Sequence, residues 1–177
     1  MEIRKDPLLY IDKDKNVRVA ESSKEGKGVF AKRNFNKGDV VLEIDDTHVI
    51  EDENALTPEQ HAYDLDYLED KIVLMQSPEK FINHSCDPNT YTKTEHGIRR
   101  VIAMRDIKEG EEITYDYSMN GDNDGTFPCR CGSKKCRQIY QGNFFKLPKE
   151  LQIHYLPYLD SWFKNKHKDK INALERQ

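Results

Sequence analysis

The cysteines are the residues of this chain whose number and spacing most directly suggest chemistry. The pattern Cys129-x-Cys131-x4-Cys136 brings three thiolates into one short loop, and Cys86, the remaining cysteine, could complete a tetrahedron. Zinc in closed structural sites prefers four soft ligands in that geometry. Basic residues interleaved with the loop cysteines would offset the charge of four thiolates: Arg130, Lys134, Lys135 and Arg137. A zinc site is therefore favoured over free thiols, a disulfide or a basic patch for nucleic acid.

Two further segments place polar and aromatic side chains at short spacing. The run 81–89 contains the pair Asn83-His84, and a later Tyr-Asp-Tyr run carries Tyr115 and Tyr117 two positions apart. On a strand those two tyrosines would face the same side of the sheet. Taken alone, the Asn-His pair is compatible with a capped turn, and the tyrosines with ordinary sheet packing.

In this order and spacing, the segments resemble the SET-domain protein-lysine methyltransferases that carry a zinc-binding post-SET segment. The resemblance covers roughly residues 17–140 and includes a Gly-x-Gly turn at 26–28, which alone would indicate only a hairpin. It implies S-adenosyl-L-methionine as cofactor, with the glycines allowing the main chain to approach it closely, and zinc held by the four cysteines. The positions that it assigns to the cofactor site are Lys27, Gly28, Val29, His61, Asn83, His84 and Tyr117.

The resemblance also assigns catalytic positions to Tyr117 and Tyr115. Methyl transfer from a sulfonium to an amine is an in-line displacement, so the protein must align both groups, keep the amine neutral and exclude water. An aromatic channel disfavours the ammonium form of lysine, and the Tyr117 hydroxyl would align the amine by a hydrogen bond. Tyr115 stands where relatives have Phe or Tyr, and its hydroxyl occupies room that additional methyl groups would need. We therefore expect mono- or dimethylation.

Two positions depart from the family pattern. His61 stands where many relatives carry a cofactor-binding tyrosine, and Tyr63 could fill that role in a shifted register. Ile139 stands where relatives often place an aromatic residue against adenine. Stacking on adenine would then require the adjacent Tyr140 to turn inward.

The resemblance further implies a mostly β SET-domain fold of several small sheets with a threaded C-terminal segment, and the sequence adds short C-terminal helices. Strands are predicted over 29–30, 40–44, 72–75, 100–103 and 113–117, and a hairpin over 61–66 and 71–76 with 68–70 at its tip. From residue 148 apolar residues recur at near-helical spacing, and Pro157 should interrupt that helix. The predicted division is an irregular lead-in over 1–16, the SET domain over 17–120, the post-SET segment over 121–142 and a helical extension over 143–177.

One internal repeat supports this architecture. Residues 31–41 parallel residues 103–113 at an offset of 72 positions, with Ala, Arg and Gly in common. An apolar residue lies three positions before the glycine in each copy. Each copy is predicted to form a strand, a glycine turn and a second strand, which indicates two similar small sheets.

Charge and hydropathy restrict the partners that we expect. A net charge of −4 and a pI near 5.9 argue against a nucleic-acid binder and suit a basic partner, namely a lysine-containing protein or peptide, with a histone as one option. The sequence shows neither a signal peptide nor an apolar run long enough to span a bilayer. We expect an intracellular protein without membrane contact, cytoplasmic in a prokaryote and nuclear or cytoplasmic in a eukaryote, as a monomer or homodimer. The competing hypotheses are a non-catalytic SET module that binds a lysine-bearing or chromatin partner, and a small zinc protein that merely shares turns with SET domains.

Overall fold

The computed structural model describes residues 13–60, 64–69 and 71–176, and within these ranges short strands predominate. The strands are β1 (Val17–Glu21), β2 (Lys27–Ala31), β3 (Val40–Glu43), β4 (Val49–Ile50), β5 (Leu65–Leu68), β6 (Lys71–Leu74), β7 (Asn83–His84), β8 (Thr90–Glu95), β9 (Ile98–Ala103), β10 (Glu112–Tyr115), β11 (Asp122–Pro128) and β12 (Ile139–Asn143). The helices are α1 (Lys13–Asn16), α2 (Lys149–Tyr155), α3 (Ser161–Lys166) and α4 (Lys168–Glu175), with 3-10 turns at Glu53–Ala55, Glu79–Phe81, Phe144–Lys146 and Leu156–Tyr158. The predicted mostly β fold with short C-terminal helices is confirmed.

The described strands assemble into four small sheets. Their strand orders are β1-β2-β10-β7, β3-β9-β8, β4-β6-β5 and β11-β12. Within the first sheet β10 runs antiparallel to β2 and parallel to β7. The predicted hairpin is the β5–β6 pair, in which Leu68 lies opposite Lys71, and residues 61–63 of the prediction lie outside the described residues.

Branched apolar residues from facing sheets form the core of the SET region. Val29 on β2, Val41 on β3, Val101 on β9 and Ile113 on β10 are fully buried. Branching at Cβ favours the extended backbone and lets such side chains fill a pleated surface.

The predicted irregular lead-in is wrong in its last residues, because α1 forms one helical turn.

The strand that carries the tyrosines is shorter than predicted. It was expected to reach Tyr117, but β10 ends at Tyr115. The Asp116 side chain accepts a hydrogen bond from the Ser118 N–H at 3.0 Å, a local turn that competes with strand pairing. Tyr117 therefore lies in a turn over 116–120 immediately after the strand.

The two copies of the internal repeat bind each other around a local two-fold arrangement. The N–H groups of Phe35 and Ile107 each donate to the other residue's carbonyl at 2.8 Å. Gly38 and Gly110 have φ angles of +91° and +83°, which explains the glycine in both turns.

The repeat does not give one sheet per copy. In the first copy β2 leads into the glycine turn and β3 follows it, and in the second copy β9 and β10 take these places. Because β2 pairs with β10 and β3 with β9, each of the two sheets contains one strand from each copy.

A second hydrophobic core is formed mainly by residues that follow β12. Helix α2 ends at Tyr155, and Pro157 lies in the 3-10 turn that follows, as predicted from the ring's effect on a helix. The buried members of this core are Met119, Phe144, Leu147, Tyr155, Leu159, Phe163, Ile171 and Leu174. None of the described helices is long and apolar enough to cross a membrane.

Replacement of Phe35 by alanine tests the junction between the two repeat copies. The ring is fully buried, so Phe35→Ala should lower the free energy of unfolding by about 3–5 kcal/mol. The control Val49→Ala removes an exposed side chain and should change it by less than about 0.5 kcal/mol. Urea unfolding followed by circular dichroism measures both, and equal small losses would contradict the assigned role of Phe35.

Candidate active site and metal centre

The four cysteines, far apart in sequence, form one cluster. Their Sγ atoms all lie within 4.8 Å of one another, and those of Cys86 and Cys129 are 3.7 Å apart. Four sulfurs at about 2.3 Å from a zinc ion would be separated by about 3.8 Å, so the donor set fits that ion. Main-chain N–H groups also point at the sulfurs, from Cys86 to Cys131 at 3.5 Å and from Arg137 to Cys86 at 3.4 Å.

The protein surroundings favour one thiolate within this cluster. Burial opposes ionisation of Cys131, but N–H donors from Cys86 and Ser133 and the neighbouring thiols lower the pKa of Cys131 to about 6. Burial raises the pKa values of the Cys86 and Cys129 thiols. A cation that took all four as thiolates would therefore displace protons, as is usual for structural zinc.

Asp116 is the buried polar group that connects the elements around the site. Its carboxylate, 0% exposed, accepts hydrogen bonds from Arg137 Nη1 at 2.5 Å and Nη2 at 2.9 Å. The Tyr155 hydroxyl donates to it at 3.0 Å, in addition to the Ser118 N–H. Burial alone would raise the pKa of Asp116, but the hydrogen bonds and charge of Arg137 outweigh burial and hold that pKa below its ordinary value. The carboxylate is therefore ionised.

This contact corrects the interpretation of the basic residues in the post-SET loop. Arg137 was expected to act as a counter-charge to the thiolates, yet its guanidinium binds Asp116 in a bidentate manner. Lys135 likewise pairs with a carboxylate, that of Asp87, at 2.9 Å. The loop is thus attached to the SET region by ion pairs as well as by the cysteines.

His84 lies between the aromatic residues and the cysteine cluster. Its Nδ1 accepts the Tyr117 N–H at 3.2 Å, and its Nε2 lies 3.4 Å from the Sγ of Cys86. Burial lowers the pKa of His84 to about 4, so the ring is neutral at pH 7. Because Nδ1 is an acceptor, the single ring proton belongs on Nε2, facing the sulfur.

Asn83 fixes the Gly-x-Gly turn. Its Nδ2 donates to the main-chain oxygens of Glu25 at 3.1 Å and Lys27 at 3.0 Å. The Glu112 carboxylate is a third acceptor at 2.9 Å. A Cβ at Gly28 would overlap Oε1 of Glu112, so a larger residue would require the Glu112 carboxylate to shift. Glycine thus lets Glu112 pack against the turn, a contact that the sequence did not indicate.

A cavity of about 600 Å³ opens beside three tyrosines. The rings of Tyr115 and Tyr117 are 4.8 Å apart, and Tyr140 meets Tyr117 edge-on at 6.3 Å. The Tyr117 hydroxyl donates to the Ile82 carbonyl at 2.7 Å. Burial, followed by the charge of Asp66, raises the pKa values of Tyr115 and Tyr117, so both hydroxyls remain protonated at neutral pH. The cavity therefore offers aromatic walls and uncharged hydroxyl groups.

The remaining predicted cofactor positions have different surroundings. The Lys27 ammonium lies 5.5 Å from the centre of the Phe81 ring. The Val29 side chain is fully buried in the core, and β2 pairs with both β1 and β10. The resemblance assigns the main chain of this segment, not its side chains, to the cofactor, and that assignment stays a prediction. His61 and its alternative Tyr63 lie outside the described residues.

Ile139 and Tyr140, three and four positions after Cys136, face opposite ways. Ile139 is 53% exposed, whereas Tyr140 is turned inward and 9% exposed. Phe127 stacks on Tyr140 with ring centres 4.3 Å apart, and the burial of Tyr140 raises its pKa to about 12. The inward turn that aromatic contact would require is thus present at Tyr140.

Sequence reasoning missed several groups that connect the site. The sequence gives no role to Asp116, which lies between Tyr115 and Tyr117. It indicates for Tyr155 only a place in the apolar pattern of a helix. Glu112 belonged to a glycine turn rich in charge and carried no distinguishing signal. Trp162, which lines the cavity from α3, was also counted as packing.

Comparison with known proteins agrees with this arrangement of segments. The SET domain family matches residues 26–118, more than half of the chain. The human protein "Histone-lysine N-methyltransferase 2B" is 31% identical over 142 residues, which are 70% of this chain and 5% of that protein. An Aspergillus oryzae "Histone-lysine N-methyltransferase, H3 lysine-4 specific" is 31% identical over 139 residues, 70% of this chain and 11% of that protein.

A Fusarium mangiferae protein named "Histone-lysine N-methyltransferase, H3 lysine-9 specific KMT1" is 40% identical over 82 residues, 37% of this chain and 24% of that protein. The chain therefore spans a small part of the length of these relatives. The family match extends from the Gly-x-Gly turn through the Asn83-His84 strand to the turn that bears Tyr117. On this match the chain belongs to the SET domain family.

Proposed function

We propose that this protein transfers a methyl group from S-adenosyl-L-methionine to the side-chain amine of a lysine in a protein substrate. The observation that carries the proposal is the convergence of Tyr115, Tyr117 and Tyr140 on one cavity, with the neutral His84 in contact with two of these rings. The names of the relatives support histone as the substrate class. Neither those names nor the site selects one lysine.

The residues present suit the cofactor that this reaction needs. When bound, S-adenosyl-L-methionine supplies a methyl group on a cationic sulfonium, which is a good leaving group. The main chain at Lys27 and Gly28, together with Asn83 and His84, would hold it. The Asn83 Oδ1 accepts no hydrogen bond from the described residues, so a polar acceptor remains there after its Nδ2 has bound the turn.

The tyrosine hydroxyls act on the lysine, while the Tyr117 position remains assigned to the cofactor site as well. The rings enclose the aliphatic side chain and exclude water, which disfavours the ammonium form and leaves the amine a lone pair for attack. The protonated Tyr117 hydroxyl orients the amine nitrogen along the line of transfer. A full general base is not required of Tyr117, whose raised pKa opposes loss of its proton at neutral pH.

The zinc ion is proposed as an architectural group. Four protein sulfurs leave no open coordination position, so the ion would supply no Lewis-acid chemistry. It would hold the post-SET loop, proposed to span 121–142, against the SET region proposed to span 17–120. The helical extension over 143–177 then follows as a separate segment that packs on the SET region.

Tyr117→Phe provides the direct test of the activity. Removal of the hydroxyl should lower kcat for labelled methyl transfer to histone at least about a hundredfold, because the amine loses its alignment. The affinity for S-adenosylhomocysteine, measured by calorimetry, should change by less than about threefold, since the hydroxyl contacts the lysine. Tyr91→Phe, on β8 and not in the lining of the cavity, is the control and should retain turnover.

The same calorimetry separates the enzyme from a non-catalytic module. A wild-type chain that binds no S-adenosylhomocysteine and methylates neither histone nor proteins of a cell lysate would overturn the proposed function.

Tyr115→Phe tests the order of methylation. Loss of the hydroxyl makes room at the amine, and the ratio of the higher to the lower methylated product should rise by about tenfold. Mass spectrometry of the modified peptide gives that ratio. Trimethyllysine as the main product of the wild-type protein would refute the assignment of mono- or dimethylation.

Removal of one sulfur tests the metal site. The wild-type protein should contain about one zinc ion per chain, and Cys86→Ser should contain close to none and melt at a lower temperature. Ser133→Ala lies in the same loop without offering a sulfur, so its zinc content should match that of the wild type. Elemental analysis checks the content, and full zinc retention by Cys86→Ser would contradict the four-cysteine assignment.

A further inference from the structure

The helical extension holds the turn that bears Tyr117. The Phe144 N–H donates to the Gly121 carbonyl at 2.8 Å, at the end of that turn. The Asp160 N–H donates to the Asn120 side-chain oxygen, also at 2.8 Å. Both contacts come from residues beyond β12. The extension therefore restrains the catalytic turn rather than covering a distant face.

A third contact reaches the turn from its interior side. Tyr155, the last residue of α2, is buried in the second core and donates its hydroxyl to Asp116. Burial and the adjacent Asp116 carboxylate raise the pKa of Tyr155, so the hydroxyl remains a donor. The position of this proton donor is set by packing of the ring in the extension.

Asp116 connects Tyr155 to the segment from Cys136 to Tyr140, which forms one wall of the site. Its bidentate partner Arg137 directly follows Cys136, and the Arg137 main-chain N–H donates to the Cys86 sulfur. Three residues later Tyr140 meets the His84 ring edge-on at 5.5 Å. The chain between the cysteine cluster and Tyr140 is thus anchored where Arg137 binds Asp116.

We propose that Tyr155 is a positioning residue of the cofactor and zinc sites. Its hydroxyl fixes the Asp116 carboxylate, which orients Arg137 and through it the segment that carries Cys136 and Tyr140. This inference rests on the proposed function and makes the helical extension a working part of the site.

The hydroxyl can be separated from the packing of the ring. Tyr155→Phe retains the ring in the second core and removes one donor from a buried carboxylate that also binds Arg137. A hydrogen bond to a charged group is stronger than one between neutral groups, so Asp116 should reorient toward its remaining donors. Arg137 should move with Asp116, so the segment that carries Cys136 and Tyr140 becomes less firmly held while the fold persists.

The experiment compares Tyr155→Phe with Tyr158→Phe in the full chain loaded with zinc. Tyr158 belongs to the same extension, and within the described residues its hydroxyl makes no hydrogen bond, so it is the matched control. Tyr155→Phe should weaken binding of S-adenosylhomocysteine about tenfold and speed extraction of zinc by a chelator severalfold. Tyr158→Phe should leave both unchanged.

A double-variant cycle identifies the route of the effect. If Tyr155 acts through Asp116 and Arg137, the variant Y155F/R137K should bind S-adenosylhomocysteine no more weakly than the weaker single variant. Additive losses would contradict that route.

A purely structural role gives a different result. If Tyr155→Phe melts at a lower temperature but matches the wild type in affinity and zinc release well below melting, the positioning role is refuted. That outcome differs from failure of the proposed function, in which the wild type itself binds no S-adenosylhomocysteine.

Discussion

A charged carboxylate in the protein interior needs hydrogen-bond donors for both oxygens. The buried Asp116 carboxylate therefore constrains the segments that surround the site. Burial of an unpaired charge is strongly unfavourable, and removal of one partner from a buried ion pair costs about 3–5 kcal/mol. The donors to Asp116 come from its own turn, from the post-SET loop and from α2. These three segments meet at one point because each supplies a hydrogen-bond donor to the same carboxylate.

The strand β10 carries this constraint to both sides of the site. It begins at Glu112, whose carboxylate accepts from Asn83 and packs against Gly28, and it ends one residue before Asp116. One carboxylate thus fixes the glycine turn and the other fixes the loop of cysteines. Rigid spacing along a strand sets the separation between the two. The fold therefore places the proposed cofactor and acceptor walls relative to each other through a single element.

Short-range sequence patterns were sufficient to predict the cysteine cluster and part of the strands. The cysteine spacing predicted the sulfur cluster, and the glycine turns and short apolar runs predicted six of the twelve described strands. A motif does not tell which of its side chains face inward, as at Val29, whose side chain lies in the core. The partners of Asp116 could not be predicted, because Arg137 and Tyr155 lie 21 and 39 positions away and have ordinary surroundings in sequence. A bidentate contact between distant segments is a property of tertiary packing, which no short window contains.

The exchange of strands between the repeat copies has a consequence for how such a chain varies. Since each sheet needs a strand from both copies, neither copy is a folding unit, and the pairing of Phe35 with Ile107 closes a loop that includes the β5–β6 hairpin. The entropy of closing a loop grows only with the logarithm of its length. Lengthening the β5–β6 hairpin within that loop therefore leaves the paired scaffold nearly as stable, while it alters the cavity lining at Asp66 and Tyr67. Diversity in the surface proposed to meet a substrate is thereby separated from the residues proposed to perform the transfer.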